Sequence, residues 1–326
     1  MSRSVRRWSP AEFEDRLRQI GLEHYHYRHP FNLRMHDGAL AKQEIQTWVR
    51  NRYYYQTRIP IKDALIIAKA RDPQFRREWV QRIHDHDGVE PGDGGLELWL
   101  ALADAVGLSR DSVANLDRVL PGVRIACDSY VDFVDGHDLL ESVAASLTEM
   151  FAGNIMKVRI AAFERHYPWV TTDGLRYFQS RTTQAPRDAA WGLAYVIENA
   201  TGRVDQERCV QALTRKCEIL WSLLDAIEAA HTRPRLSPHA QLRNDKAGND
   251  ATVVLPERAV ELNTTGAEIL ALCDGDRTAL DVAEQLCTRH SDSEQAWNDT
   301  HAFLEEMGRL GVVEIAEHVI RDAAAG

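Results

Sequence analysis

The chain has 326 residues, of which 44% are apolar and 27% charged, the balance of a soluble globular protein long enough for two domains. Its net charge of -10 is unevenly placed: residues 239–326 hold 7 of the 39 Lys+Arg and 17 of the 49 Asp+Glu, leaving 32 of each in residues 1–238. An acidic tail on a neutral body argues against nucleic acid as the tail's partner, because phosphate binding needs net Lys and Arg.

Five cysteines (127, 209, 217, 273, 287) form no C-x-x-C pair and read as reduced thiols. The start of the chain lacks the apolar core of a signal peptide, and no apolar run approaches the roughly 18 residues of a membrane span. The expectation is a cytoplasmic protein.

Residues 9–231 read as almost wholly helical. Ser9-Pro10-Ala11-Glu12 is a capping box with proline at the first helical position. Helical periodicity follows near 41–58, 73–86, 95–106, 110–116, 124–134, 138–166, 172–181, 187–200 and 205–231. This predicts an all-α bundle. The stretch "TRPRLSPH" (232–239) carries two prolines and no apolar face, and reads as a linker. The tail, 240–326, is expected to be a small α+β domain. "ATVVLPERAVELN" gives two strands around a Pro-Glu-Arg turn, and helices follow near 264–273, 278–290 and 293–309. Thr264 and Thr278 are candidate caps, and Gly311 ends the last helix. The pattern resembles a winged helix.

The segment "RIHDHDG" (82–88) has the composition of a metal site. Helical geometry argues otherwise, because His84 and His86 lie about 200° apart around the axis. A dinuclear carboxylate site would use repeated Glu-x-x-His, for which Glu23…His26 and Glu228…His231 are the matches. His86 instead continues a stripe with Phe75, Trp79 and Arg82 at i, i+4, i+7 and i+11, and His84 falls off it.

Similar inward polar groups recur. Arg52, Tyr55 and Gln56 share one face; Thr148, Ala152, Ile155 and Arg159 share another; Tyr177 and Arg181 are i, i+4; Lys216 interrupts the apolar face of 205–231. Buried cations are costly unless paired, and the inward carboxylates read as too few. Either a ligand supplies the missing anions or an internal salt-bridge network exists. The first alternative implies a cavity for a small, planar, polyanionic molecule.

At these residues the chain resembles the pyrroloquinoline-quinone synthase (PqqC) family. The resemblance runs from about Ser9 to His231 through "NRYYYQTRIPIKDA", "WVQRIHDHDG", "VLPGVR", "SLTEMFA", "HYPW", "YFQSR" and "ILWSLLDA". The tail is similar to PqqD in "VVLPERAVELN", "GAEIL" and "ALCDG". The resemblance implies a heme-oxygenase-like helical fold and a homodimer. It also implies an oxidase without metal or organic cofactor. That oxidase would close a ring in, and oxidise with O2, a bicyclic amino-quinone precursor with several carboxylates, releasing pyrroloquinoline quinone and hydrogen peroxide.

By position, the resemblance makes His86, Tyr177 and Arg181 the oxygen-side core, with His26, Glu149 and Tyr130 as proton-handling neighbours. Arg52, Arg82, Arg159, Arg181 and Lys216 would hold carboxylate or quinone oxygens, and Tyr55, Gln56, Lys62 and Thr148 would complete the pocket. Met156 is a departure, standing where family members commonly carry a histidine. For the tail, the resemblance implies binding of the precursor peptide PqqA for the radical enzyme PqqE. Strand addition at Val260–Leu262 and the last helix near Phe303 and Leu310 are the candidate contacts. The competing readings are a dinuclear-metal oxidase, a thiaminase-like hydrolase with a nucleophilic Cys, and a carrier of the finished quinone.

Overall fold

In the computed structural model the described residues are 6–244 and 251–316, and they divide into two compact units, Met1–Asp225 and Ala226–Gly326. The first unit is built from α1 (Pro10–His24), α2 (Pro30–His36), α3 (Lys42–Lys69), α4 (Pro73–Asp87), α5 (Gly94–Ala105) and α6 (Arg110–Ala114). It continues with α7 (Pro121–Gly136), α8 (Leu139–Ala145), α9 (Glu149–His166), α10 (Arg176–Asn199) and α11 (Arg203–Ala230), whose last residues pass into the second unit.

Ser9 caps α1 as expected: its hydroxyl accepts from Glu12 N, and the Glu12 carboxylate accepts from Ser9 N. The fully buried Trp48, Trp99, Phe163 and Phe178 lie among the core of this unit, and their rings meet edge-on and tilted.

Two helices run through prolines and past the stretches expected from periodicity. The helix expected at 41–58 runs to Lys69 through Pro60, and the separate helices expected at 172–181 and 187–200 are one, through Pro186. A helical proline costs ~3 kcal/mol, which packing of a whole helix face outweighs. Pro186 packs where α9 is thinnest: a Cβ on Gly153 would meet its Cγ at 3.3 Å. Conversely, the single stretch expected at 138–166 breaks into α8, a 3-10 turn (Ser146–Thr148) and α9. α4 stops at Gly88, whose φ of +83 suits a residue without Cβ.

The second unit contains β1 (Arg233–Leu236), β2 (Gln241–Asn244), β3 (Ala251–Leu255), β4 (Arg258–Leu262), α12 (Thr264–Leu272), α13 (Ala279–Cys287), α14 (Ser293–Arg309) and β5 (Val313–Ala316). β2, β3 and β4 form an antiparallel sheet in that order, and β1 pairs antiparallel with β5. The expected hairpin and three helices are present. The stretch read as a linker instead contains β1, which pairs antiparallel with β5 and accommodates Pro234 as edge strands do. Thr278 caps α13 in a capping box with Asp281, but α12 is capped by Asn263 rather than Thr264. Val253, Ile269, Val282, Leu286 and Val312 centre this unit's core.

Candidate active site

The stripe on α4 turns inward as its spacing requires: Phe75, Trp79, Arg82 and His86 are buried and His84 is exposed. The adjoining helices bring matching stripes to the same place. From α3 come Arg52, Tyr55, Gln56 and Ile59; from the α9 junction Thr148, Glu149, Ala152 and Met156; from α10 Tyr177 and Arg181; from α11 Leu220. With Tyr25 and His86 these enclose a cavity of about 40 Å³.

Of the residues singled out in the sequence, His86, Tyr177, Arg181, Glu149, Arg52, Tyr55, Gln56 and Thr148 line this cavity. His26, Tyr130, Lys62, Arg82, Arg159 and Lys216 stand behind its walls, all buried. Lys216 Nζ lies 4.3 Å from the Tyr55 ring centroid and 3.5 Å from that of Tyr130. The Arg52 guanidinium stacks on Tyr55 at 3.8 Å.

The charges fall into two groups. Lys62, Arg82 and Arg181 face carboxylates. Asp63 Oδ1 accepts from Lys62 at 2.5 Å, from Trp79 Nε1 at 2.8 Å and from Arg82 Nε at 3.4 Å. Glu149 accepts from Arg181 at 2.6 Å and from Arg82 at 3.4 Å. Asp188 Oδ2 lies 3.1 Å from Arg82 Nη1. The reading of too few inward carboxylates is therefore corrected for this half, where an internal salt-bridge network does exist. Burial works to raise the Glu149 carboxyl, but Arg181, Arg82 and Lys62 outweigh it and hold it at about 2.

Arg52, Arg159 and Lys216 have no carboxylate partner among the described residues. Lys216 Nζ is buried with no hydrogen-bond partner among the described residues, and burial, reinforced by Arg52, holds it well below the usual lysine range. Among the described residues Arg159 hydrogen-bonds Asn32 Oδ1 (3.1 Å) and Met156 Sδ (4.0 Å) and lies over the rings of Trp48 and Phe178, with its Nε unpartnered. Burial and then Arg52 lower its guanidinium to about 10.

Hydrogen bonds fix both histidine tautomers. His86 Nδ1 is 2.9 Å from the Arg82 carbonyl, which can only accept, so Nδ1 carries the proton and Nε2 is the acceptor. Burial, with Arg181 second, holds His86 at about 4, so its imidazole is neutral. Asn32 turns its Oδ1 to Arg159, which aims its Nδ2 at His26 Nδ1 at 2.9 Å; His26 is thus protonated on Nε2 when neutral. Burial, followed by Arg52, Arg159 and Lys216, keeps His26 well below its usual value. Tyr177 donates to Gln56 Oε1 at 2.8 Å, and Tyr130 shares a 3.3 Å bond with Ser146.

The first Glu-x-x-His pair does not turn to one place, since Glu23 is exposed while His26 is buried. Among the described residues no group of three or more His, Cys, Asp or Glu side chains is placed to hold a metal ion. All five cysteines are free and buried. Among the described residues no helix is long and apolar enough to cross a membrane.

The sequence reading passed over Asp63, Asp188, Asn32 and Tyr25. A signal for Asp188 was present: Tyr177, Arg181, Gln184 and Asp188 repeat the i, i+4, i+7, i+11 spacing of the α4 stripe.

Residues 14–226 match the TENA/THI-4/PQQC family, and residues 251–313 match the coenzyme PQQ synthesis protein D (PqqD). The chain belongs to the TENA/THI-4/PQQC family. It is 47% identical over 232 residues to the pyrroloquinoline-quinone synthase of Gluconobacter oxydans, spanning 71% of this chain and 97% of the relative. It is 38% identical over 325 residues to the bifunctional coenzyme PQQ synthesis protein C/D of Methylorubrum extorquens, spanning 85% of this chain and 87% of the relative. A solved domain of unknown function from Shewanella denitrificans, with a heme oxygenase-like fold, matches with a TM-score of 0.54 at 13% identity, covering 67% of this chain and 89% of that one. The helical unit thus has the heme-oxygenase-like fold of this family, followed by a PqqD unit.

In the PqqD unit, Leu262 is buried in the core, and Val260, Phe303 and Leu310 are partly buried against it. What β4 offers at the sheet edge is backbone, since it pairs on one side only, with β3, among the described residues.

Proposed function

We propose that this chain is a pyrroloquinoline-quinone synthase: an oxidase that closes a ring in, and oxidises with O2, a bicyclic amino-quinone tricarboxylate. The observation that carries this reading is the trio Arg52, Arg159 and Lys216, buried or half-buried beside an aromatic cavity with no carboxylate among the described residues to pair them. A planar tricarboxylate supplies the three missing charges, and Tyr25, Tyr55 and Tyr177 supply faces for its rings. The cavity's about 40 Å³ falls below the ~300 Å³ of pockets that hold molecules of this size, so binding moves its walls apart.

His86 begins neutral with Nε2 as acceptor, so it takes a proton from the substrate as electrons leave. It then returns that proton to O2 reduced by two electrons from the substrate; with the second proton that the substrate loses in the same oxidation, the oxygen departs as hydrogen peroxide. Tyr177 and Gln56 form a second proton-sharing pair on the cavity wall. In this reading the electrons pass from substrate to O2 with neither metal nor organic cofactor.

The PqqD unit binds the peptide PqqA along the β4 edge by backbone hydrogen bonds, for use by PqqE, and the helical unit forms a homodimer in the cytoplasm. Anaerobic mixing with precursor, followed by a pulse of O2, tests the oxidase. One turnover of product with peroxide supports it. A carrier gives no peroxide above background, and a metal oxidase shows stoichiometric iron or manganese needed for turnover.

A further inference from the structure

The paired half of the site contains a carboxylate that the proposed chemistry leaves without a task. Asp188 lies two helical turns beyond Arg181 on α10, and its side chain is 5% exposed. Its Oδ2 stands 3.1 Å from Arg82 Nη1 and 3.8 Å from Arg181 Nη1. Its Oδ1 accepts from Arg187 at 2.7 Å, and Arg187, 47% exposed, also pairs with Asp85. Asp188 does not line the cavity; Arg181 and Glu149, in front of it, do.

The count of charges gives this placement meaning. Lys62, Arg82 and Arg181 face Asp63, Glu149 and Asp188, so the half around His86 carries no net charge. The opposite half holds Arg52, Arg159 and Lys216 with no carboxylate among the described residues. Buried ion pairs are weak sources of stability compared with apolar packing, and specification is their better attested use. Here they divide one cavity into a neutral side that offers N–H donors and a cationic side.

We propose that Asp188 is a positioning residue that sets which way round an anionic ligand lies. It cancels one of the two charges of the Arg82–Arg181 pair and restrains both guanidiniums. Carboxylates are therefore drawn to Arg52, Arg159 and Lys216, and the uncharged quinoid edge is left facing His86. With Asp188 neutralised, the His86 side gains a net positive charge and becomes a second place for carboxylates. The ligand then binds in two orientations, one of them unproductive.

Asp188→Asn and Arg187→Met in the full-length chain test this, with inorganic sulfate as the anion probe in a direct binding titration. D188N is expected to bind sulfate about tenfold more tightly or better, since an opposing buried charge is lost. R187M frees Asp188 to counter the inner pair more fully, so it is expected to weaken sulfate binding about two- to threefold. In turnover, D188N lowers kcat and KM together and leaves kcat/KM near wild type, as unproductive binding requires. A purely structural role would lower kcat/KM and leave sulfate affinity unmoved.

Unchanged sulfate affinity in D188N overturns the proposal. Should D188N not fold, R187M alone decides, because its surface position tolerates change, and unchanged or tighter sulfate binding refutes it. The turnover arm rests on the function proposed above and the sulfate arm does not, so a chain that binds sulfate as expected but makes no product refutes that function and leaves Asp188's role standing.

Discussion

Replacing Lys216 by Met separates stability from ligand binding at one atom. The amine is 1% exposed, makes no hydrogen bond among the described residues, and lies over the rings of Tyr55 and Tyr130. A buried polar group without a partner costs about 1–3 kcal/mol, and Met fills the same volume without it. K216M is therefore expected to stabilise the ligand-free helical unit by about 1–3 kcal/mol, raising its Tm by about 2–12 °C in differential scanning calorimetry.

The pH dependence has a definite sign. Lysine in the unfolded chain titrates near 10.4, and Lys216 in the folded chain sits well below that. Between the two values the unfolded chain binds the extra proton, so wild-type stability rises with pH across this window. The advantage of K216M thus shrinks as pH rises toward about 10.4, where only the cost of burying the neutral, unpartnered amine remains. Affinity for the quinone product moves the other way: a hydrogen bond to a charged group contributes about 1.5–3 kcal/mol, so the variant should bind about 10- to 150-fold more weakly by calorimetric titration. A K216M protein with lower Tm and unchanged product affinity would show that the amine is satisfied in place, and the argument for a ligand-neutralised cation would fall.

Three further outcomes are expected. Glu149 is depressed to about 2 by Arg181, Arg82 and Lys62 against the effect of burial, so it contributes stability above the ordinary glutamate range that is lost as pH falls toward 2. Urea titrations of wild type and E149Q should differ by ~3 kcal/mol at pH 7 and converge near pH 2; a pH-independent difference would remove the electrostatic cause. Gly21→Ala places a methyl 2.0 Å from Phe151 Cζ, beside Tyr25 on the cavity wall, and should cost about 1–3 kcal/mol in thermal unfolding and weaken product binding. Met156→His puts a titratable ring where a thioether meets Arg159, and should be tolerated while altering at least one single-turnover rate; identical rates for every step would show that no proton passes this position.

Much of the candidate site is legible in the sequence because helical spacing alone decides which side chains share a face. The pattern separates His86 from His84 whatever surrounds them, and it marks Arg52, Tyr55, Gln56, Tyr177 and Arg181 as inward. Where the outcome depends on a neighbour supplied by another element, spacing has less to say. Pro60 and Pro186 interrupt the pattern locally, yet packing along a whole helix face carries both helices through. Residues 232–239 look like a linker until β5, some eighty residues on, provides the partner strand.

The sequence by itself determined that polar and cationic groups enter a helical core, since that follows from 3.6 residues per turn and from residue type. Only the tertiary structure decided which of those cations are neutralised. Asp63, Glu149 and Asp188 arrive from three different helices to meet Arg82, and Arg52, Arg159 and Lys216 are left with none among the described residues. Charge pairing depends on distances of 3 to 4 Å between side chains far apart in the chain, and those distances exist only once the helices have packed.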